Sequence, residues 1–165
     1  MAVKTLEELF VHELSDTHSA ERQMAKALPR LARAADNPQL AAAFEAHLEE
    51  TTVQIERLDR VVELLDTRLK RIKCAAMEGL VEESKEVIDA IDKGPLRDAA
   101  LIGGAQKVEH YEIAAYGTLC AIAKQLGYTD AVKLLQETLA EEKATDEKLT
   151  LLAEQGGNQA AAGTG

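Results

Sequence analysis

Glu21, Glu50, Glu109 and Glu142 each interrupt the apolar stripe of a different helical segment of this 165-residue chain, near its middle. An ionised carboxylate in a core is costly unless it is paired or bound to a cation. No lysine or arginine falls on the inward stripes, and Lys107, Lys143 and Arg57 read as peripheral. Four acids converging in one bundle without a basic partner point to a metal site. Each taken alone also has an ordinary explanation, because a glutamate on a helix usually faces solvent. Whether the four lie at one height therefore decides the matter.

The elements that must position them follow from periodicity and punctuation. Thr5 caps a first helix with the stripe Leu6, Phe10, Thr17, Met24, Leu28, Leu31 and Ala35, in which Pro29 should introduce a bend. Asn37-Pro38 stops and restarts the chain, with Asn37 as cap and Pro38 at the first helical position. The second helix carries Leu40, Phe44, His47, Thr51, Leu58, Val61 and Leu65. A segment from Asp66 to Gly94 opens with the basic cluster Arg68, Lys70, Arg71 and Lys73, and holds a shorter helix around Leu80 to Ile91. A third long helix runs from about Leu96 to Leu126. Its Gly103, Gly104 and Gly117 suggest a close helix neighbour, and Gly127 terminates it. Thr129 caps a fourth with the stripe Val132, Leu135, Leu139, Leu149 and Leu152. Residues 1–155 thus read as one all-α domain, and the Gly/Ala-rich residues 156–165 as a disordered tail.

Two antiparallel hairpins joined by so long a connection make a four-helix bundle with one long crossover, the connectivity of ferritin-like folds, here carrying a shorter fifth helix. Glu50 lies 12 residues into helix two from Pro38, and Glu21 lies 15 residues before Asp36. At about 1.5 Å per residue both sit roughly 20 Å from that end of the bundle. Glu142 lies 13 residues beyond Thr129, and Glu109 13 beyond Leu96, in the same central slab.

Rotation adds further candidates. Glu109 and Glu112 share a face with Ala105, Tyr116 and Leu119, and His47 shares one with Glu50 and Gln54. Helix one stays open: Ala20 could take the inward place of Glu21, and Glu13 and Asp16 are rival acids. The primary carboxylates are then Glu21, Glu50, Glu109 and Glu142, with Glu112, Gln54 and His47 completing or orienting the shell. His110 is a weaker candidate, Asp146 can pair locally with Lys143 or Thr150, and Tyr111 and Tyr116 stand near enough to donate electrons.

Composition bounds the rest. A formal charge of −10 argues against nonspecific binding to nucleic acid or an anionic membrane. The longest uncharged stretch, Ile113 to Ala123, is too short to span a bilayer, and the start lacks a signal peptide. Cys74 and Cys120 form no metal-type pair, which suits reduced thiols and a cytoplasmic protein.

The strings His47-Leu48-Glu49-Glu50-Thr51, Gln54-Ile55-Glu56-Arg57-Leu58, Val108-Glu109-His110-Tyr111-Glu112-Ile113-Ala114 and Glu141-Glu142-Lys143-Ala144 closely resemble the bacterial YciF/YciE stress-protein family, over residues 3 to 153. That resemblance implies a ferritin-like, rubrerythrin-related bundle, a homodimer and a stress-associated role. The di-iron pattern of ferritin-like enzymes places Glu-x-x-His on two helices. Here Val53 follows Glu50 by three residues and Thr145 follows Glu142 by three. A site short of two imidazoles is harder and richer in oxygen. Iron, as a di-iron pair, is the leading cofactor and manganese the second, and metal binding is better supported than oxygen or peroxide turnover. The contrasting class is a structural or interaction protein whose inward acids are a relic.

Overall fold

The computed structural model describes residues 2–163 and is all-helical. α1 (Leu6–Ala34) and α2 (Pro38–Leu64) form one hairpin, α4 (Pro95–Gln125) and α5 (Thr129–Leu152) the other, and α3 (Ala75–Ala90) lies on the crossover between them. α1 packs against α2 and α4, and α5 against α4 and α2, so the four long helices close a ring, with α3 covering α1 and α4 from outside.

Local chemistry sets the corners. Thr5 caps α1 by accepting from the Glu8 amide, and Asn37 caps α2 by accepting from the Gln39 amide, with Pro38 behind it. α1 continues unbroken through Pro29. α4 ends in Gly127 at φ 75°: the Gly127 amide donates to Lys124 O and the Tyr128 amide to Ala123 O, which satisfies carbonyls the helix end would orphan. The same motif ends α2 at the cost of a non-glycine residue with positive φ, Asp66 at 44°.

Several expectations are corrected. α3 begins at Ala75 rather than near Leu80, because Cys74 serves as its cap and Met77 drops into the core. Thr129 does not cap α5, since its hydroxyl donates instead to Gly127 O. A Cβ at Gly103, Gly104 or Gly117 would meet nothing within 4 Å, so no close helix contact within the chain requires these glycines. Beyond α5 the chain continues as a kinked turn (Ala153–Gly157) and α6 (Asn158–Ala162). Gly156, at φ 135°, turns the chain there, and Gly157 comes against Ile102 of α4. Residues 164 and 165 lie outside the described residues.

Two apolar clusters fill the bundle. One packs Met24, Leu28, Phe44, Met77, Leu101 and Leu149 towards the α1–α2 turn. The other packs Phe10, Leu14, Leu58, Tyr116, Leu119 and Leu135 towards the α4–α5 turn. Between them runs a belt of buried polar side chains contributed by all four long helices.

Candidate metal centre

That belt consists of Thr17 and Glu21 on α1, His47, Thr51 and Gln54 on α2, Glu109 and Glu112 on α4, and Thr138 and Glu142 on α5. The spacing explains the burial: residues three or four apart share a helical face, so each helix contributes its two or three to the same interior. Glu21 and Glu109 are 0 % exposed, and Glu112 and Glu142 1 %, as buried as the leucines above and below them. Charged groups are almost never buried to this degree unless paired. Among the described residues, none of these four forms an ion pair with a lysine or arginine.

His47, Glu109, Glu112 and Glu142 each offer a ligand-capable atom, and these atoms all lie within 4.8 Å of one another. His47 Nε2 stands 3.1 Å from Glu109 Oε1. Taken as ionised carboxylates, Glu109, Glu112 and Glu142 bury both their oxygens with no donor to satisfy them, and His47 Nε2 and one oxygen of Glu21 are likewise unpartnered. Only a proton on Glu109 or Glu112 would let it donate to Glu142. Orphaned polar atoms at this density are the exception in folded proteins. A shared cation would satisfy them together.

The electrostatics describe a site strained by its own charge. Burial, then hydrogen bonding and charge from Glu142 and the charge of Glu21, push the Glu109 carboxyl up to about 12. Burial and the charges of Glu21 and Glu142 raise Glu112, while burial and Glu142 raise Glu21. Burial also acts to raise Glu142, but hydrogen bonds from Glu112 and Glu109 and the nearby His47 outweigh it and hold this carboxyl below its usual value. Burial lowers His47 against the pull of Glu142 and Glu50, leaving a neutral imidazole, the form that binds metal. A divalent cation inverts this logic, because it favours the ionised carboxylates.

Of the sequence candidates, Glu109, Glu112, Glu142 and His47 form the tight cluster. Glu21, rather than Ala20 alone, reaches the interior, where its Oε1 accepts from Tyr116 Oη at 3.0 Å. Glu50 is half-buried at the edge and accepts from Thr145 Oγ1 at 3.2 Å. Gln54 Nε2 donates to Glu141 Oε2 at 3.2 Å, while its Oε1 remains unpartnered. Tyr111 turns away from the cluster. Its hydroxyl donates to Asp16 at 2.8 Å and lies 3.0 Å from Cys74 Sγ. His110 is exposed, with Nε2 3.3 Å from Asp146 Oδ1.

Sequence reasoning missed the support behind Glu142. Arg57 pairs with Glu141 at 2.6 Å and donates to Thr138 Oγ1 at 3.2 Å, so the neighbour of Glu142 is tied to α2. The available signal was Arg57 standing three residues beyond Gln54, on its face of the helix.

The family model described as a domain of unknown function, DUF892, matches residues 5–162, and the chain belongs to that family. Protein YciF of Escherichia coli K12 is 62% identical over 154 residues, covering 93% of each chain. The crystal structure of the E. coli stress protein YciF superposes with a TM-score of 0.92 at 61% identity, over 94% of this chain and 99% of that one. YcfI of Rhodopseudomonas palustris, provisionally described as a structural protein, superposes with a TM-score of 0.87 at 44% identity, over 90% and 94% of the two chains.

Proposed function

We propose that this chain is a ferritin-like, carboxylate-rich metal-binding protein of a stress response. The observation that carries the reading is the orphaned ligand set of His47, Glu109, Glu112 and Glu142, buried between two apolar clusters and free of basic partners. Three carboxylates and one neutral imidazole form a hard donor set suited to iron or manganese. Iron leads, and a pair of ions would draw Glu21, Glu50 and Gln54 into the coordination. Such a pair, when bound, supplies redox chemistry toward oxygen or peroxide. The protein's own contribution is a buried, pre-assembled ligand set. Arg57 and Glu141 hold α5 against α2 beside Glu142, and Tyr116 fixes Glu21. The stress association is supported by likeness to the E. coli stress protein.

The bundle over residues 1–155 acts as one domain and as a homodimer. The open face of α4 at Gly103, where an added side chain would meet nothing, is the surface for the second copy. Free, buried Cys74 and Cys120 suit a reducing cytoplasm, and no helix among the described residues is long and apolar enough to cross a membrane.

A second reading, a purely structural protein, is favoured by one observation: Glu112 and Glu109 are placed to hydrogen-bond Glu142, so protonated partners could satisfy the cluster without metal. Elemental analysis of protein expressed with iron or manganese decides between the two. Stoichiometric metal that disappears in Glu109→Ala and Glu142→Ala supports the centre. Metal-free wild-type protein under every regime supports the structural reading.

A further inference from the structure

The crossover between α2 and α3 builds a basic groove on an otherwise acidic molecule. Its backbone is laced to one stripe of α1: Ser15 Oγ accepts from the Lys70 amide at 2.9 Å, and Ser19 Oγ accepts from the Cys74 amide at 3.0 Å. Gln23 donates to Cys74 O at 3.1 Å and completes the ladder. This places Lys70, Arg71 and Lys73 alongside a second stripe of α1 formed by Arg22, Lys26 and Arg30. The stripe residues succeed one another every four positions, roughly every 6 Å along the axis.

Two recesses lie in the groove, of about 440 Å³ and about 320 Å³, and they share Gln23, Lys26 and Lys73 in their walls. Although the chain holds 29 acidic residues against 19 basic ones, no aspartate or glutamate lines either recess. Lys73 pairs with Glu78 and Arg30 with Asp89, but Arg22, Lys26, Lys70 and Arg71 form no ion pair among the described residues. A surface cation on so acidic a protein has abundant carboxylates to meet, so four unpaired ones on a single groove mark a place kept for an external anion.

We propose that this groove binds a linear oligophosphate, either inorganic or carried by a nucleotide. The cations are strung out rather than converging on one point, which suits several linked anionic groups better than a single ion. Arg22 and Arg71 supply planar forks that match phosphate oxygens in pairs, and Lys26 and Lys70 add point charges. Ser15 and Ser19 are committed to the crossover backbone, so recognition falls on the cations. The molecule's net charge of −10 repels anions from the rest of its surface, which confines binding to the groove.

The test titrates inorganic tripolyphosphate and, separately, a nucleoside triphosphate into the full chain at low ionic strength by calorimetry. Wild type is compared with Arg22→Ala/Lys26→Ala, Lys70→Ala/Arg71→Ala and the control Lys133→Ala. Metal per chain is measured before and after. Saturable binding of either probe, weakened at least tenfold in both double variants, unchanged in the control and reversed by salt, supports the proposal. A larger affinity for the nucleotide adds a base contact to the same site. Absence of saturable binding, equal loss in Lys133→Ala, or a heat that tracks only metal stripped from the protein overturns it. So do double variants that bind as wild type, or that merely dissociate an oligomer. The substituted side chains are exposed, and unchanged helical signal and melting temperature verify the fold.

Discussion

His47 Nε2 approaches Glu109 Oε1 to 3.1 Å without forming a hydrogen bond to it. Two buried polar atoms are held close, and neither satisfies the other. They border one another as two ligands of a common ion would, and burial keeps the imidazole neutral and its lone pair available.

Replacing His47 by Ala is therefore expected to weaken metal binding by at least about tenfold, the scale seen even for groups that only orient ligands. Competition with a chelator of known affinity measures it. Metal binding equal to that of wild type would remove His47 from the centre.

Glu112 is buried and both its oxygens lack partners, so its neutral isostere should suit the metal-free bundle better than the acid does. Glu112→Gln is expected to stabilise the metal-free protein by at least about 1 kcal/mol at alkaline pH, where the acid would have to ionise beside Glu21 and Glu142 and the amide does not. It should weaken metal binding at the same time. Thermal melts with and without metal check both signs, and a lower melting temperature without metal would contradict the repulsion seen here.

Some of this arrangement was legible along the chain and some was not. Asn37-Pro38 and Gly127 specify their turns locally, so the hairpins, and with them the common height of the acids, follow from counting residues. Height tolerates an error of a residue or two, whereas rotation does not, since one residue turns a helix by about 100°. That is why Glu50, given a primary role from its height, sits half-buried at the rim, while Glu112 reaches the interior fully. The start of α3 was hidden because Cys74 caps it, an unusual residue for that task. The pinning of the crossover by Ser15 and Ser19 joins residues 55 positions apart, beyond any local signal.

The raised carboxyls give the metal-free protein an unusual pH dependence. An ordinary glutamate releases its proton near 4.5, whereas Glu109 keeps it up to about 12. Below the lower value both states hold the proton and the stabilising contribution is complete. Between the two the folded chain holds one more proton than the unfolded chain, so stability falls as pH rises. Glu21 and Glu112 act in the same direction and Glu142 against it. The urea midpoint of the metal-free protein should fall from about pH 5 to about pH 9. Metal must displace these protons, so its affinity should rise over the same range and its removal should cost most stability at the alkaline end. A metal-free midpoint that climbs with pH would contradict the protonated cluster.

Gly104 lies inside α4 and lines an apolar recess of about 350 Å³, yet a Cβ there would touch nothing within 4 Å. Glycine costs a helix interior up to about 1 kcal/mol relative to alanine. Gly104→Ala should raise the stability of the monomer by that amount in urea unfolding. A loss of stability that depends on protein concentration would instead show that a second copy packs against this glycine.

Asp98 fixes the end of the bundle from a distance. It is buried at the start of α4, and its two oxygens accept from the Asp36 amide at 2.7 Å and the Asn37 amide at 2.8 Å, the two amides that begin the turn between α1 and α2. The carboxylate thus ties one hairpin's turn to the other hairpin's first helix, and both bonds are charge-assisted. Asp98→Ala deletes both acceptors and leaves two partly buried amides to find water, at an expected cost of about 2–4 kcal/mol. Asp98→Asn keeps one acceptor and should cost less. Because the turn also sets where α2 begins, the loss should reach His47 ten residues further on. Urea unfolding measures the first effect and metal affinity the second. Equal stability of wild type and Asp98→Ala would show that the turn stands on Asn37 and Pro38 alone.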